Sequence, residues 1–361
     1  MKVLFIIRST AFKNKGGDII QAVNTAKYLK FLGVQVDIRY SDEVIDYSPY
    51  DLLHFFNIIR PADILIHIKD PAKKFVVSTI YVDLSEYEKK VRKGVTSYIS
   101  KIFPADFTEY LKVIARSVIN NEKISSPSYL WLGQRNAIKA VAKKAFCLLP
   151  NSESEYRRFS KAYNTSCRYK VVPNGIDEEI FKNELPGGSK DKNLVICVGR
   201  IERRKCQLSI IKALNNTKFE FIIIGAPATN EQSYYKECKQ AAASNISFVQ
   251  SLPQQDLIAY YKRAKVHVLA SWFETTGLSS LEAASQRCNI VITDKGDTRE
   301  YFEDYAFYCD PGSEQSILDA VNKAAAEDFD ERLHTKIYRE YTWMQAAEKT
   351  LSAYNEISGC D

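Results

Sequence analysis

Asn193-Leu194-Val195-Ile196-Cys197-Val198-Gly199-Arg200-Ile201 decides the fold: an apolar run suited to burial on both faces, then a glycine turn. Near-continuous apolar runs of this length mark parallel strands covered by helices. This one opens a series. Phe219 to Ile224, Ile246 to Val249, Val266 to Ala270 and Asn289 to Ile292 follow it, separated by helical spacing near 205 to 214, 230 to 243, 253 to 264 and 278 to 287. Toward the N-terminus the same alternation runs through Val3 to Ile7, a helical stretch over 18 to 32, Val36 to Arg39, Asp51 to Phe55, Phe75 to Ile80 and Phe146 to Leu149. Two rounds of strand and helix predict an α/β protein of two doubly wound units. The turn chemistry of Val172-Pro173-Asn174-Gly175-Ile176-Asp177 and Pro186-Gly187-Gly188 places the junction between them near 165 to 192.

At 361 residues and 41.2 kDa, with 45% hydrophobic and 26% charged residues, the chain has apolar material for two cores. No run reaches the roughly 18 to 20 apolar residues of a membrane span. Val3 to Ile7, closed by Arg8, is too short for a signal peptide, so a cytoplasmic location is expected. The eight cysteines contain no Cys-x-x-Cys pair and read as reduced thiols. The net charge of +6 is unevenly spread, with 23 Lys and Arg against 14 Asp and Glu over residues 1 to 150. Within 86 to 144, Lys89, Lys90, Arg92, Lys93, Lys139, Lys143 and Lys144 are interspersed with Tyr87, Tyr98, Phe103, Tyr129 and Trp131. Two readings stay open for this region: contact with an anionic membrane surface or polyanionic substrate, or a set of solvated helix faces. Nucleic acid is not expected, because no binding module accompanies the charge.

Three motifs bear on chemistry. Lys15-Gly16-Gly17-Asp18 follows the first strand, where backbone N–H groups could approach a phosphate, though a glycine pair is often only a turn. Gly199-Arg200 with Lys205 falls at the carboxyl end of the strand that opens the second unit, where cations could neutralise a diphosphate. The plain alternative is a basic turn. Ser271-Trp272-Phe273-Glu274-Thr275-Thr276-Gly277-Leu278 runs from a strand into a helix carrying Glu282, so a loop carboxylate and a helix carboxylate flank a helix start with donors to offer. Glu274 and Glu282 are eight positions apart, a spacing that Glu340 and Glu348 repeat without such context.

Taken together with the Pro173-Asn174-Gly175-Ile176-Asp177 junction, Tyr50-Asp51-Leu52-Leu53-His54, Asn151-Ser152-Glu153, Gly296-Asp297-Thr298-Arg299-Glu300 and Trp343, these motifs resemble the family 4 glycosyltransferases. These are retaining enzymes of GT-B fold, in which two Rossmann-like domains face a central cleft. The resemblance implies an N-terminal acceptor domain over 1–168, joined by the C-terminal helix 343–361, and a nucleotide-sugar donor domain over 169–342. It implies that Arg200 and Lys205 bind the diphosphate, with Gly16 and Gly17 approaching the same phosphates. Glu282 would hold the ribose hydroxyls, and Glu274 with Thr275, Thr276, Gly277 and Leu278 would hold the transferred sugar. Where family members often carry a histidine after the strand Val76 to Ile80, this chain offers Tyr81 and Asp83 for the sugar or acceptor site. His54, ending a strand, is a further candidate, its alternative being a satisfied structural histidine.

The activity implied is transfer from a UDP- or GDP-sugar to a glycan or lipid-linked acceptor in cell-envelope polysaccharide biosynthesis, without metal or cofactor. Peripheral contact with the inner face of the cytoplasmic membrane rests on the basic first unit. A GT-B sugar-nucleotide epimerase and a catalytically silent sugar-nucleotide-binding subunit are the competing readings.

Overall fold

The computed structural model describes residues 1–11, 16–68, 73–90, 105–119, 126–182 and 189–358. Lys15, Arg92, Lys93, Tyr98, Phe103 and Pro186-Gly187-Gly188, named above, lie outside the described residues. The chain divides into two compact units, Met1–Pro173 with Trp343–Asp361, and Asn174–Thr342.

In the first unit, strands β1 (Lys2–Ile7), β2 (Gln35–Tyr40), β3 (Leu52–Phe56), β4 (Phe75–Ser78) and β5 (Cys147–Leu149) form a parallel sheet of order β2-β1-β3-β4-β5. The apolar runs make these strands because helices cover both faces: β3, β4 and β5 are buried at every position. The change of direction beside β1 opens a switch point between β1 and β3. The terminal helix Trp343–Ser358 packs on the helix Gly17–Phe31. Residues 168 to 172 also stay with this unit, because Leu148 N donates to Arg168 O, Lys170 N to Leu148 O and Val172 N to Pro150 O. The unit therefore ends five residues beyond the boundary expected at 168.

The second unit holds β6 (Asp191–Val198), β7 (Glu220–Ile224), β8 (Ile246–Val249), β9 (Ala264–Leu269), β10 (Asn289–Thr293) and β11 (Phe307–Cys309), all parallel, in the order β11-β10-β9-β6-β7-β8. Its switch point lies between β6 and β9. Strand β11 was not expected. Three residues at a sheet edge, two of them half-buried, give no periodicity to read.

The seven described cysteines are unbridged. No helix among the described residues is long and apolar enough to cross a membrane. Within the basic region the aromatic residues part company: Tyr129 is fully buried, with its hydroxyl donating to Gln134 Oε1, while Trp131 is 93% exposed.

Candidate functional site

Adjacent strands β6 and β9 bring the second and third motifs together at the switch point of the second sheet. After β6 the chain turns through Gly199-Arg200 into the short 3-10 helix Arg203–Lys205. After β9 it enters the Glu274 loop, and the two loops are stitched by main chain: Trp272 N donates to Arg204 O, and Arg204 Nη1 donates to Phe273 O at 2.7 Å. Lys205 Nζ lies 3.5 Å from Glu274 Oε1 and Arg204 Nη1 3.8 Å from it, while Ser271 Oγ donates to the same oxygen at 2.6 Å. Burial alone would raise the Glu274 pKa. Lys205, Arg204 and the Ser271 hydroxyl outweigh it and hold the carboxyl below its usual value, so Glu274 is ionised at neutral pH.

The loop is clamped from its far side. Glu274 N donates to Lys295 O, and Asp297 N donates to Glu274 O. Gly296, at φ +102°, passes so close that a Cβ there would stand 2.0 Å from Glu274 O. Arg200 projects outward, its side chain 48% exposed, 3.6 Å from Glu202. Arg200, Arg204 and Lys205 thus face two carboxylates, Glu202 and Glu274, leaving an excess of positive charge.

Gly277 caps the helix Leu278–Ser285, preceded by the half-buried Thr275 and the buried Thr276. Thr276 Oγ1 accepts from Asn174 Nδ2 at 3.2 Å. Glu282 lies on this helix, 9% exposed, accepting from Gln254 Nε2 at 2.6 Å and Tyr261 OH at 3.0 Å. Burial pushes its pKa up to about 7, against the pull of those two donors. The two glutamates therefore differ in kind: Glu274 is a charge held by cations, and Glu282 is a buried carboxyl balanced between its two protonation states. His267, inside β9, is fully buried with its ring between Val198 N and Ser280 Oγ, as expected of a structural histidine.

In the first unit Gly16 and Gly17 begin the helix Gly17–Phe31 after β1, where Asp18 accepts from Arg8 Nε at 2.7 Å. Tyr81 and Asp83 follow β4 and line a cavity. The Tyr81 ring meets Phe159 and Tyr163 edge-on, and Asp83 Oδ1 accepts from Ser85 N. His54 corrects one candidate. It is fully buried in β3, with Nδ1 bonded to Tyr354 OH at 2.6 Å and Nε2 to Ser78 Oγ at 2.9 Å. Burial lowers its pKa to about 3, so it is a neutral, satisfied core histidine with no face for an acceptor.

Reading the sequence did not single out Arg204, Gln254 or Tyr261. Arg204 was hidden within a run of three cations, and Gln254 and Tyr261 reach Glu282 from 28 and 21 positions away, a pairing no local spacing reveals. An Asp-x-Asp triplet, Asp328-Phe329-Asp330, is present. Asp330 is used at the start of the helix Glu331–Glu340, where it accepts from Arg332 N, and Asp328 is fully exposed 3.8 Å from Lys265.

A parallel two-unit α/β chain with basic and acidic loops meeting at a switch point has clear counterparts. Residues 177–341 match the family model described as glycosyl transferases group 1. The phosphatidylinositol N-acetylglucosaminyltransferase GPI3 subunit of Saccharomyces cerevisiae is 24% identical over 210 residues, covering 52% of this chain and 45% of the relative. The chain thus spans about half the length of that curated relative. Sucrose-phosphate synthase from Thermosynechococcus elongatus superposes with a TM-score of 0.75 over 100% of both chains at 13% identity. Anabaena HepE in complex with UDP-glucose gives 0.68 at 16% identity, covering 99% of this chain and 100% of its own. The two parallel-sheet units with these neighbours fit the GT-B fold, and the family match supports a glycosyltransferase.

Proposed function

We propose that the chain is a retaining glycosyltransferase of the family 4 type, taking a sugar from a UDP- or GDP-sugar to a glycan or lipid-linked acceptor in cell-envelope polysaccharide synthesis. The observation that carries this reading is the meeting of Lys205, Arg204 and Glu274 at the switch point, with Glu282 on the adjoining helix. HepE, similar in fold, binds UDP-glucose in its own structure. In this reading Arg200 and Lys205 take the diphosphate, Glu282 accepts the ribose hydroxyls, and Glu274 with the 275–278 main chain holds the sugar. As the bond from the anomeric carbon to the diphosphate breaks, negative charge gathers on the phosphate oxygen, and preorganised cations there stabilise the transition state. The acceptor hydroxyl attacks from the same face and its proton passes to the departing phosphate oxygen. No metal takes part, so chelator leaves the rate unchanged.

Incubation with a sugar nucleotide, with and without acceptor glycans, followed by NMR of the anomeric configuration, tests the reading. An α-linked product from an α-linked donor supports it. Conversion of the donor sugar without transfer identifies an epimerase instead, and donor binding without turnover on a broad acceptor panel identifies a silent subunit.

Glu282 gives the reading a pH signature. Its folded pKa of about 7 exceeds its ordinary value of 4.5, so its protonated form stabilises the fold fully below about 4.5, and that contribution is lost as pH rises through 7. The ionised carboxylate is the better acceptor for hydroxyls. Affinity for UDP-glucose, whose diphosphate does not titrate in this range, is therefore expected to rise several-fold from pH 6 to pH 8. Isothermal titration of Glu282→Gln should give a flat, weak profile; an equally steep profile in that variant would place the titrating group elsewhere.

Contact with an anionic membrane surface is supported by Trp131, 93% exposed beside the 46% exposed Leu130 on the helical segment before the break at Gly133, and by the exposed Lys143 and Lys144 that end the segment beyond it. Trp131→Ser is expected to lower co-sedimentation with phosphatidylglycerol vesicles several-fold. Unchanged sedimentation would remove Trp131 from the membrane contact.

A further inference from the structure

Of the two cations proposed for the diphosphate, Arg200 is the less enclosed, its side chain 48% exposed against 14% for Lys205. A long side chain in solvent keeps most of its rotamer freedom, so the part of Arg200 that a fold can preorganise is its main chain. On one side that main chain is tied to the loop after β7. Gly199 N donates to Ile224 O, Ile201 N to Ala226 O, and Ala228 N to Ile201 O. Gly225 lies so close that a Cβ there would stand 2.0 Å from Gly199 O. From β9, His267 Nε2 accepts from Val198 N at 3.4 Å.

On its other side the turn meets Gln207, a fully buried amide at the start of the helix Gln207–Leu214. Gln207 Nε2 donates to Arg200 O at 2.8 Å, and Gln207 Oε1 accepts from Glu202 N at 3.3 Å. One side chain thus bonds the peptide groups on both sides of Ile201, whose own side chain is fully buried. The pairing is specific to an amide: a carboxylate offers acceptors only, and an apolar side chain offers neither. A buried amide is held where its polar atoms are met, and both ends of this one are spent on the turn. Its reach extends further along the chain. Lys205 N donates to Glu202 O at 2.8 Å and Arg204 Nη2 to Glu202 Oε1 at 2.8 Å, so Glu202 links the bridged turn to both cations that meet Glu274.

We propose that Gln207 is a positioning residue for the donor site: its amide fixes the peptide groups around Ile201 and so sets where the Arg200 guanidinium meets a diphosphate. The amide acts through Arg200 and not on the ligand. The proposal rests on the reading of this loop as a diphosphate site. Without the amide, Arg200 O and Glu202 N need other partners, the turn relaxes, and Arg200 is free to settle onto Glu202, already 3.6 Å away. A misplacement of about 1 Å can cost about 10² in rate. An adaptable side chain such as that of Arg200 recovers part of this, so a loss of about tenfold is expected.

A double-mutant cycle on the full chain tests the proposal, with isothermal titration of inorganic pyrophosphate and turnover of UDP- and GDP-sugars. Pyrophosphate carries more charge than the diphosphate of a sugar nucleotide, so it reports the charge that gathers as the bond breaks. Gln207→Leu and Arg200→Met are each expected to weaken pyrophosphate by about fivefold to tenfold, and the double variant by no more than the larger single loss. In turnover Gln207→Leu is expected to lose about tenfold in kcat, with KM within about twofold. Gln207→Glu can make both bonds only while its carboxyl is protonated, so its pyrophosphate affinity relative to the wild type is expected to rise as pH falls from about 8 to about 6. Losses that add in the double variant, wild-type affinity in Gln207→Leu, or no pyrophosphate binding by the wild type overturn the proposal. If Gln207→Leu does not fold, a Gln207→Glu ratio that is flat with pH overturns it. Pyrophosphate binding with a non-additive cycle and no turnover of any sugar nucleotide condemns the glycosyltransferase reading alone. Turnover with an additive cycle condemns the Gln207 proposal alone.

Discussion

Lys205→Met lowers the rate of sugar transfer, or of slow donor hydrolysis by water, by about 10² to 10³, the usual cost of removing one preorganised charge-stabilising donor. The loss should fall in kcat more than in KM, because the diphosphate gains its extra charge only as the bond breaks. Lys205 is not free-swinging: its side chain is only 14% exposed and its ammonium lies 3.5 Å from Glu274. Removing it leaves Glu274 with Arg204 and Ser271, so the loop keeps its shape and the variant should melt near the wild type. Arg200→Met, at a half-exposed position, is expected to lose less. A Lys205→Met enzyme with wild-type kcat would remove the cation from the chemistry and leave it an ion-pair partner only.

Gly296→Ala has the larger structural effect. The added methyl group would stand 2.0 Å from Glu274 O, and the residue would have to hold φ +102°, so the backbone of one loop or the other must move. Left-handed strain and overpacking each cost about 1 to 3 kcal/mol, and together they are a large part of the roughly 5 to 15 kcal/mol that stabilises a domain. Urea unfolding should show a midpoint well below the wild type. The more telling loss is local: the parallel bridge between Glu274 and Gly296 breaks, the carboxylate leaves Lys205, and donor binding falls even at temperatures where the variant is folded. Wild-type stability in Gly296→Ala would mean that the two loops do not approach as closely as described.

How far the sequence alone reaches differs between fold and site. Ten of the eleven strands among the described residues announce themselves in the sequence, most because they are buried along their length while β2 and β8 are only partly buried, and β11 escapes, being too short to show a pattern. The meeting of the Lys205 and Glu274 loops follows from which strands are neighbours, and no spacing states that β6 lies beside β9. The environment of Glu282 was equally hidden, since Gln254 and Tyr261 arrive from another helix. His54 shows the opposite limit. A histidine closing a strand can look available, and only the packing of Tyr354, 300 residues away, shows that it is enclosed. Charge misleads in the same way: Glu88, Asp106 and Glu109, from the basic stretch, are among the lining of a first-unit cavity.

The proposed reading has the second unit hold a nucleotide-sugar donor through Glu282 and the cationic loop. Its most direct test is thermal unfolding of the wild type and of Glu282→Ala with UDP-, GDP-, ADP- and CMP-sugars. At about 100 times its dissociation constant a ligand adds roughly 2.7 kcal/mol, or about 5 to 10 °C for a unit of this size. Sugars of one nucleotide base are expected to raise the wild-type Tm by that amount, and Glu282→Ala to lose most of the shift. No shift with any donor at millimolar concentration, or an equal shift in both proteins, would contradict it.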